Sequence, residues 1–279
     1  MACTFDGTTN SRLTLASPPA LVMPFTIALW FRVTAASTKT MWSLASAVSD
    51  TNYFSVQSFT GSQPGATKRD GGGEQNSLTT NNPYSTNTWT HLAGVFTSTT
   101  SHRIYMSGVA GGENTTLTLP VVSRMGIGTL YRPTEAGLWT GDLAEVAWWD
   151  SALSQANITA LQTGCPDSVA PSSLQAWWRL LTSGTATVDS KNGFTLTGGS
   201  ALVTTDGPAG ICTAIPPKPK KTKWVSDGSD MEEAFLFENS LLPNYIRRFL
   251  TRSPVSNPPP GGGGAGTSGT KRYRMHHHG

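Results

Sequence analysis

Residues 25–33, Phe-Thr-Ile-Ala-Leu-Trp-Phe-Arg-Val, put Phe25, Ile27, Leu29, Phe31 and Val33 on one face and Thr26, Ala28, Trp30 and Arg32 on the other. A two-residue period of this kind marks a half-buried strand. The same alternation recurs at 53–59, 88–96, 102–107, 142–150 and 174–181, and glycine pairs or triplets at 71–73, 111–112 and 198–199 punctuate it. Short strands at this spacing, without helices between them, predict an all-β antiparallel sandwich. Composition agrees. Charged residues are 13% of the 279 and hydrophobic residues 37%, enough for a core but too poor in charge for a coiled coil. One helix is expected at 155–163: Ser154 suits its N-cap, Leu153 and Ile158 form a hydrophobic staple, and Gly164 suits its end.

Working outward, the strand at 25–33 is followed by NTWTHLAGVF (87–96), HRIYMSGV (102–109), MGIGTL (125–130), GDLAEVAWWDSALSQANITAL (141–161), LQAWWRLL (174–181) and DSKNGFTLTG (189–198). Taken in that order, residues 1–206 resemble the laminin-G-like, concanavalin A-like lectin/glucanase jelly rolls. The resemblance implies a jelly-roll domain over 1–212 and raises two chemistries, glycoside hydrolysis and calcium-assisted sugar binding.

Hydrolysis needs two carboxylates flanking the scissile bond. Glu145 is the nearest candidate, but Asp150 falls on the opposite face of its strand, so no pair forms and Glu145 is expected to make a structural hydrogen bond. We therefore expect no enzyme. The family's Gly-x-Ile-Asp-Glu strand reads Gly141-Asp142-Leu143-Ala144-Glu145, with Ala144 where Asp is usual, which weakens the case for calcium. Asp189 with Asn192 reads as a turn, and no Asp-x-Asp-x-Asp-Gly loop occurs. Cofactors are therefore expected to be none, with calcium left open. His91 reads as a packed, hydrogen-bonded residue, and neither a Gly-x-Ser-x-Gly elbow nor a P-loop is present. Trp149 and Trp178 align with Leu143, Ala147, Leu174 and Leu180 as core. Trp148 and Trp177 fall on the other faces, and Trp139 lies in a loop, so these three are the candidate glycan-stacking platforms.

The longest apolar run, residues 20–31, has 12 residues broken by Pro24 and Thr26, short of the roughly 20 a spanning helix needs. The N-terminus has no basic n-region or apolar h-region, so no signal peptide is expected and the sequons at Asn114 and Asn157 carry no weight. The three cysteines, Cys3, Cys165 and Cys212, leave two readings: three thiols in a reducing cytoplasm, or one pair. Cys3 with Cys212 is the favoured pair if first and last strands are adjacent.

Residues 1–213 carry 10 basic and 12 acidic groups, whereas 214–279 carry 10 and 5 with 8 Pro and 8 Gly. This split predicts a basic, proline-stiffened linker at 213–228, a short helical docking segment at 229–253 and a Pro/Gly-rich basic tail at 254–279. Phe235, Phe237, Tyr245, Ile246 and Phe249 with Arg247, Arg248 and Arg252 are the candidate docking residues. Lys271, Arg272 and Arg274 form a basic tip whose charge matches nucleic-acid phosphate or an acidic protein surface alike, and nucleic acid is not the expected partner. The layout resembles phage virion proteins that display such a domain from a docking arm. It implies a non-enzymatic capsid-decoration or tail protein made in a host cytoplasm, with capsid or tail subunits and further copies of itself as partners and host glycans as ligands. The alternative is a free carbohydrate-binding module.

Overall fold

A computed structural model describes residues 1–35, 38–59, 61–79, 83–181 and 186–212, together with residues 220–221 and 235–236; at 186–188, 220–221 and 235–236 it describes the backbone alone. Contacts divide the chain into two compact units, Met1–Ala214 and Ile215–Gly279.

In the first unit the strands run β1 (Ala2–Asp6), β2 (Leu13–Leu15), β3 (Phe25–Arg32), β4 (Lys39–Ala45), β5 (Asn52–Phe59) and β6 (Gln63–Asp70). They continue as β7 (Gln75–Leu78), β8 (Thr90–Ser98), β9 (Ser101–Met106), β10 (Val109–Asn114), β11 (Arg124–Ile127) and β12 (Thr140–Trp149). After helix α1 (Gln155–Ala160) come β13 (Leu174–Trp178), β14 (Ala186–Val188), β15 (Thr195–Gly198) and β16 (Val203–Thr205). One sheet has the order β10-β9-β8-β3-β12-β1-β16, with β13 also on β12; the other runs β14-β15-β2-β11-β4-β5-β6-β7. The expected antiparallel sandwich is what forms.

The inward faces close on a single aromatic core. Phe25 stacks on Phe96 at 4.5 Å and meets Phe54 edge-on at 5.2 Å, while Trp42 and Trp148 meet edge-on at 5.9 Å. Aromatic pairs in these geometries add to the burial of their large apolar faces. A second apolar cluster lies on the outward face of the first sheet. There α1 and the segment after it cover Ala28, Ala93, Ala147, Trp149 and Trp177. Ser154 caps α1 by accepting the Asn157 amide at 3.2 Å, and Leu153 and Ile158 are both buried, as the staple requires. The helix stops at Ala160, three residues early, and Gly164 closes the following turn by donating to Ala160 O at 2.8 Å.

The cysteine pairing differs from the expected one. Cys165 is bonded to Cys212, which fastens the end of the domain over the second cluster, whereas Cys3 is buried and donates its thiol to Leu180 O at 3.3 Å. β1 does lie near the end of the domain, but its terminal partner is β16 and not the segment that holds Cys212.

In the second unit, Lys220–Lys221 pairs antiparallel with Phe235–Leu236, a strand pairing where part of a helix was expected. Phe237, Tyr245, Ile246, Arg247, Arg248, Phe249, Arg252, Lys271, Arg272 and Arg274 lie outside the described residues. Among the described residues no helix is long and apolar enough to cross a membrane.

Candidate functional site

The outward face of the first sheet is only partly covered, and the uncovered part begins where β3 leaves the shelter of α1. Along β3 the outward residues run from buried Thr26 and Ala28 to half-buried Trp30 and Arg32. Beyond Arg32 lies a cavity of about 340 Å³, walled by residues 4–6 at the end of β1, 32–34 at the end of β3, Asn87, and 140–142 at the start of β12. Register brings these strand ends together: Phe5 lies opposite Gly141, and Asp142 lies opposite both Thr4 and Arg32.

Two backbone features shape the wall. Gly141 has φ +136°, and a Cβ there would come within 2.6 Å of Arg32 O and 3.0 Å of Val33 Cγ1. Only glycine fits that close approach. Asn87 takes φ +58°, a region asparagine tolerates better than most residues, while its amide donates to Val33 O at 2.7 Å and pins the loop before β8.

Charge within the cavity is arranged around Asp142. Arg32 donates Nε to Asp142 Oδ2 at 2.7 Å, and the Thr4 hydroxyl donates to Oδ1 at 2.5 Å. Arg32 also donates Nη2 to the Thr205 hydroxyl at 3.2 Å and lies 5.0 Å over the half-buried Trp89 ring. Asp6 is exposed. Hydrogen bonds from Ser11 and from the Thr8 amide and hydroxyl hold its carboxyl below the usual range, so it stays ionised. Behind the wall, the buried Trp139 has an indole Nε1 with no hydrogen-bond partner, 3.3 Å from where a Gly141 Cβ would sit. The result is a ring-sized recess offering carboxylate, hydroxyl and amide groups, which suits a polyhydroxylated ligand.

None of the three expected stacking tryptophans is available. Trp139, Trp148 and Trp177 are 1%, 1% and 4% exposed. The cause lies at Glu145, which takes φ +52° in a bulge where the β12–β3 register slips between Ala144 and Ala147. A bulge inserts a residue and reverses the facing of everything after it. Leu143, Val146 and Trp148 therefore enter the inter-sheet core, while Ala147 and Trp149 turn outward beneath α1, where Trp149 donates Nε1 to Val169 O at 2.9 Å. A second slip, opposite Trp148 and Trp149 on β13, sends Ala176 and Trp178 inward and Leu174 and Trp177 outward. Trp139 packs edge-on against Phe31 at 6.0 Å.

Glu145 does make a structural hydrogen bond. It accepts Trp177 Nε1 at 2.6 Å and pairs with Arg179 at 3.6 Å; burial raises its pKa, with Arg179 opposing. It is 5% exposed, and its carboxylate is spent on Trp177 and Arg179. Asp189 caps its turn by accepting the Lys191 and Asn192 amides at 2.6 and 2.9 Å. His91 is packed against Trp30 at 5.3 Å, but its Nδ1 has no hydrogen-bond partner, and burial pushes its pKa down to about 4. Among the described residues no three His, Cys, Asp or Glu side chains gather as a metal site would need.

Two half-buried tryptophans on this side were not among the expected platforms, Trp30 and Trp89. Trp30 carried a legible signal, since alternation in 25–33 already put it outward beside Arg32. Trp89 precedes its strand, and its role depends on the distant Arg32.

The family model described as the concanavalin A-like lectin/glucanases superfamily, of laminin G type, matches residues 6–159, more than half of the chain. Among solved structures, a putative carbohydrate binding protein from Bacteroides ovatus ATCC 8483 is similar at 18% identity and TM-score 0.56, over 74% of this chain and 60% of that one. The native heptameric SAP-like pentraxin of Limulus polyphemus is similar at 15% identity and TM-score 0.49, over 57% and 80%. The K499G mutant of NanB sialidase from Streptococcus pneumoniae is similar at 16% identity and TM-score 0.48, over 57% and 27%. No curated protein matches the sequence. At these identities the likeness concerns the fold alone.

Proposed function

Because the chain belongs to the concanavalin A-like lectin/glucanase superfamily, we propose that its jelly roll is a non-catalytic carbohydrate-binding module that takes a sugar in the Arg32–Asp142 cavity. The observation that carries this reading is the cavity itself. Strand ends from β1, β3 and β12 hold hydroxyl, carboxylate and amide groups around a space the size of a sugar ring. Hydrolysis needs two carboxylates, and with both oxygens of Asp142 occupied by Arg32 and Thr4 the Asp6 carboxylate stands alone.

The test is a glycan array probed with the full chain and with Thr34→Trp, which fills the cavity from an exposed position on its wall. Retention of one glycan class by the wild type and its loss in a variant with an unchanged circular dichroism spectrum are expected. Equal retention by both would place the sugar elsewhere.

A second reading concerns what carries this module. Display from a virion, with residues 213–279 as the docking arm, draws support from the Pro/Gly-rich, basic composition of those residues. Capture from the native source with the full chain, and with a chain whose Phe235, Phe237, Tyr245, Ile246 and Phe249 are replaced by Ser, tests it. A capsid or tail subunit recovered only by the unaltered chain supports the reading, and the same recovery by both refutes the arm's role.

A further inference from the structure

The cavity has three charged groups, Arg32, Asp142 and Asp6, and they are not equivalent. Arg32 is already committed: one nitrogen donates to Asp142, another to Thr205, and its guanidinium face covers Trp89. An acidic ligand seeking that cation would have to displace Asp142, which is 9% exposed and would be left as a buried carboxylate without its partner. Breaking a buried pair in this way costs more than the new contact returns. Asp6, by contrast, takes part in no ion pair among the described residues and stands exposed at the cavity's edge. The net field that a ligand meets is that of one unpaired carboxylate.

From this asymmetry, and resting on the reading of the cavity as a sugar site, we propose that the ligand is a sugar without acidic groups and that the site discriminates against acidic ones. Hydroxyls donate to the Asp6 carboxylate, a charge-assisted bond stronger than a neutral one. A sugar carboxylate only accepts and is repelled by Asp6. A sugar ammonium donates to Asp6 as well and is attracted by its charge.

The experiment presents the full chain with an array in which each sugar backbone appears as its neutral, 2-amino and uronic-acid forms, at low and high salt. The neutral and 2-amino forms are both expected to bind better than the uronic form, which should be weaker than the neutral one by about fivefold, the effect of one unit charge near 4 Å in water. That gap should narrow at high salt, since screening acts on exposed charges. Asp6→Asn should narrow it likewise at low salt. Salt dependence is read on the wild type, so the proposal remains testable if the substitution disturbs the Thr8 turn. Tightest binding by uronic forms would overturn the proposal while leaving a sugar site in place. Binding by no form at all would overturn the sugar site along with it.

Discussion

The Cys165–Cys212 bond closes a loop with a sequence separation of 47, and its loss should be the largest single change in stability that leaves the sandwich core untouched. In the chain-entropy account a closed loop of that length removes enough freedom from the unfolded state to be worth about 4 kcal/mol at 25 °C. Native contacts around the bond reinforce it. Cys212 O accepts Arg179 Nη2 at 2.7 Å, and Arg179 in turn pairs with the buried Glu145. For a domain of this size each kcal/mol moves the melting temperature by about 2–4 °C, so the double variant Cys165→Ser, Cys212→Ser should melt about 8–16 °C lower. Scanning calorimetry of oxidised wild type, reduced wild type and the variant makes the comparison, and thiol titration of the unfolded, unreduced chain should count one thiol, that of Cys3. A count of three thiols, or identical melting of all three samples, would refute the pairing and the reasoning built on it.

Other consequences are smaller in scope. His91 and His102 are both held near a pKa of about 4, chiefly by burial, against an ordinary 6.5. The unfolded chain therefore takes up protons first: stability is complete above pH 6.5 and is lost as pH falls towards 4, by about 2 kcal/mol per histidine at pH 5. Urea midpoints at pH 7 and pH 5 check this, and His91→Gln should halve the difference, leaving the part that belongs to His102. Gly141→Ala places a methyl 2.6 Å from Arg32 O and should cost about 1–3 kcal/mol while collapsing the sugar site, read by melting and by array binding together. Trp177→Phe removes the 2.6 Å bond to Glu145 and should destabilise by about 1–3 kcal/mol in urea, yet leave glycan binding unchanged because Trp177 is not at the cavity.

The fold was legible because it rests on local alternation. The strand at 25–33 appears with its expected facing, and so does the Ser154-capped helix, because two-residue periods and caps are properties of a few neighbouring residues. What failed was propagation of phase along a strand. Counting by twos from Leu143 predicts that Trp149 is core and Trp148 is exposed, and nothing in Gly-Asp-Leu-Ala-Glu announces the extra residue at Glu145 that reverses them. Exposure failed for a second reason: an outward-facing side chain such as Trp177 is exposed only if nothing lies over it, and the cover here comes from α1 and from a segment fastened by Cys165 and Cys212. The cavity was out of reach on similar grounds. Thr4, Arg32, Asn87 and Asp142 are scattered in sequence and meet only through antiparallel register, although Arg32 and Trp30 could have been read as outward from alternation alone.

The central claim, that a sugar sits at the ends of β1, β3 and β12, is tested most directly by a crystal structure of the full chain with whichever oligosaccharide the array retains. The account predicts a sugar ring beside Asp6, Asn87 and Gly141, with a hydroxyl bonded to the Asp6 carboxylate. A sugar found on the outward face of the second sheet, with the Arg32–Asp142 cavity holding none of it, would contradict the account.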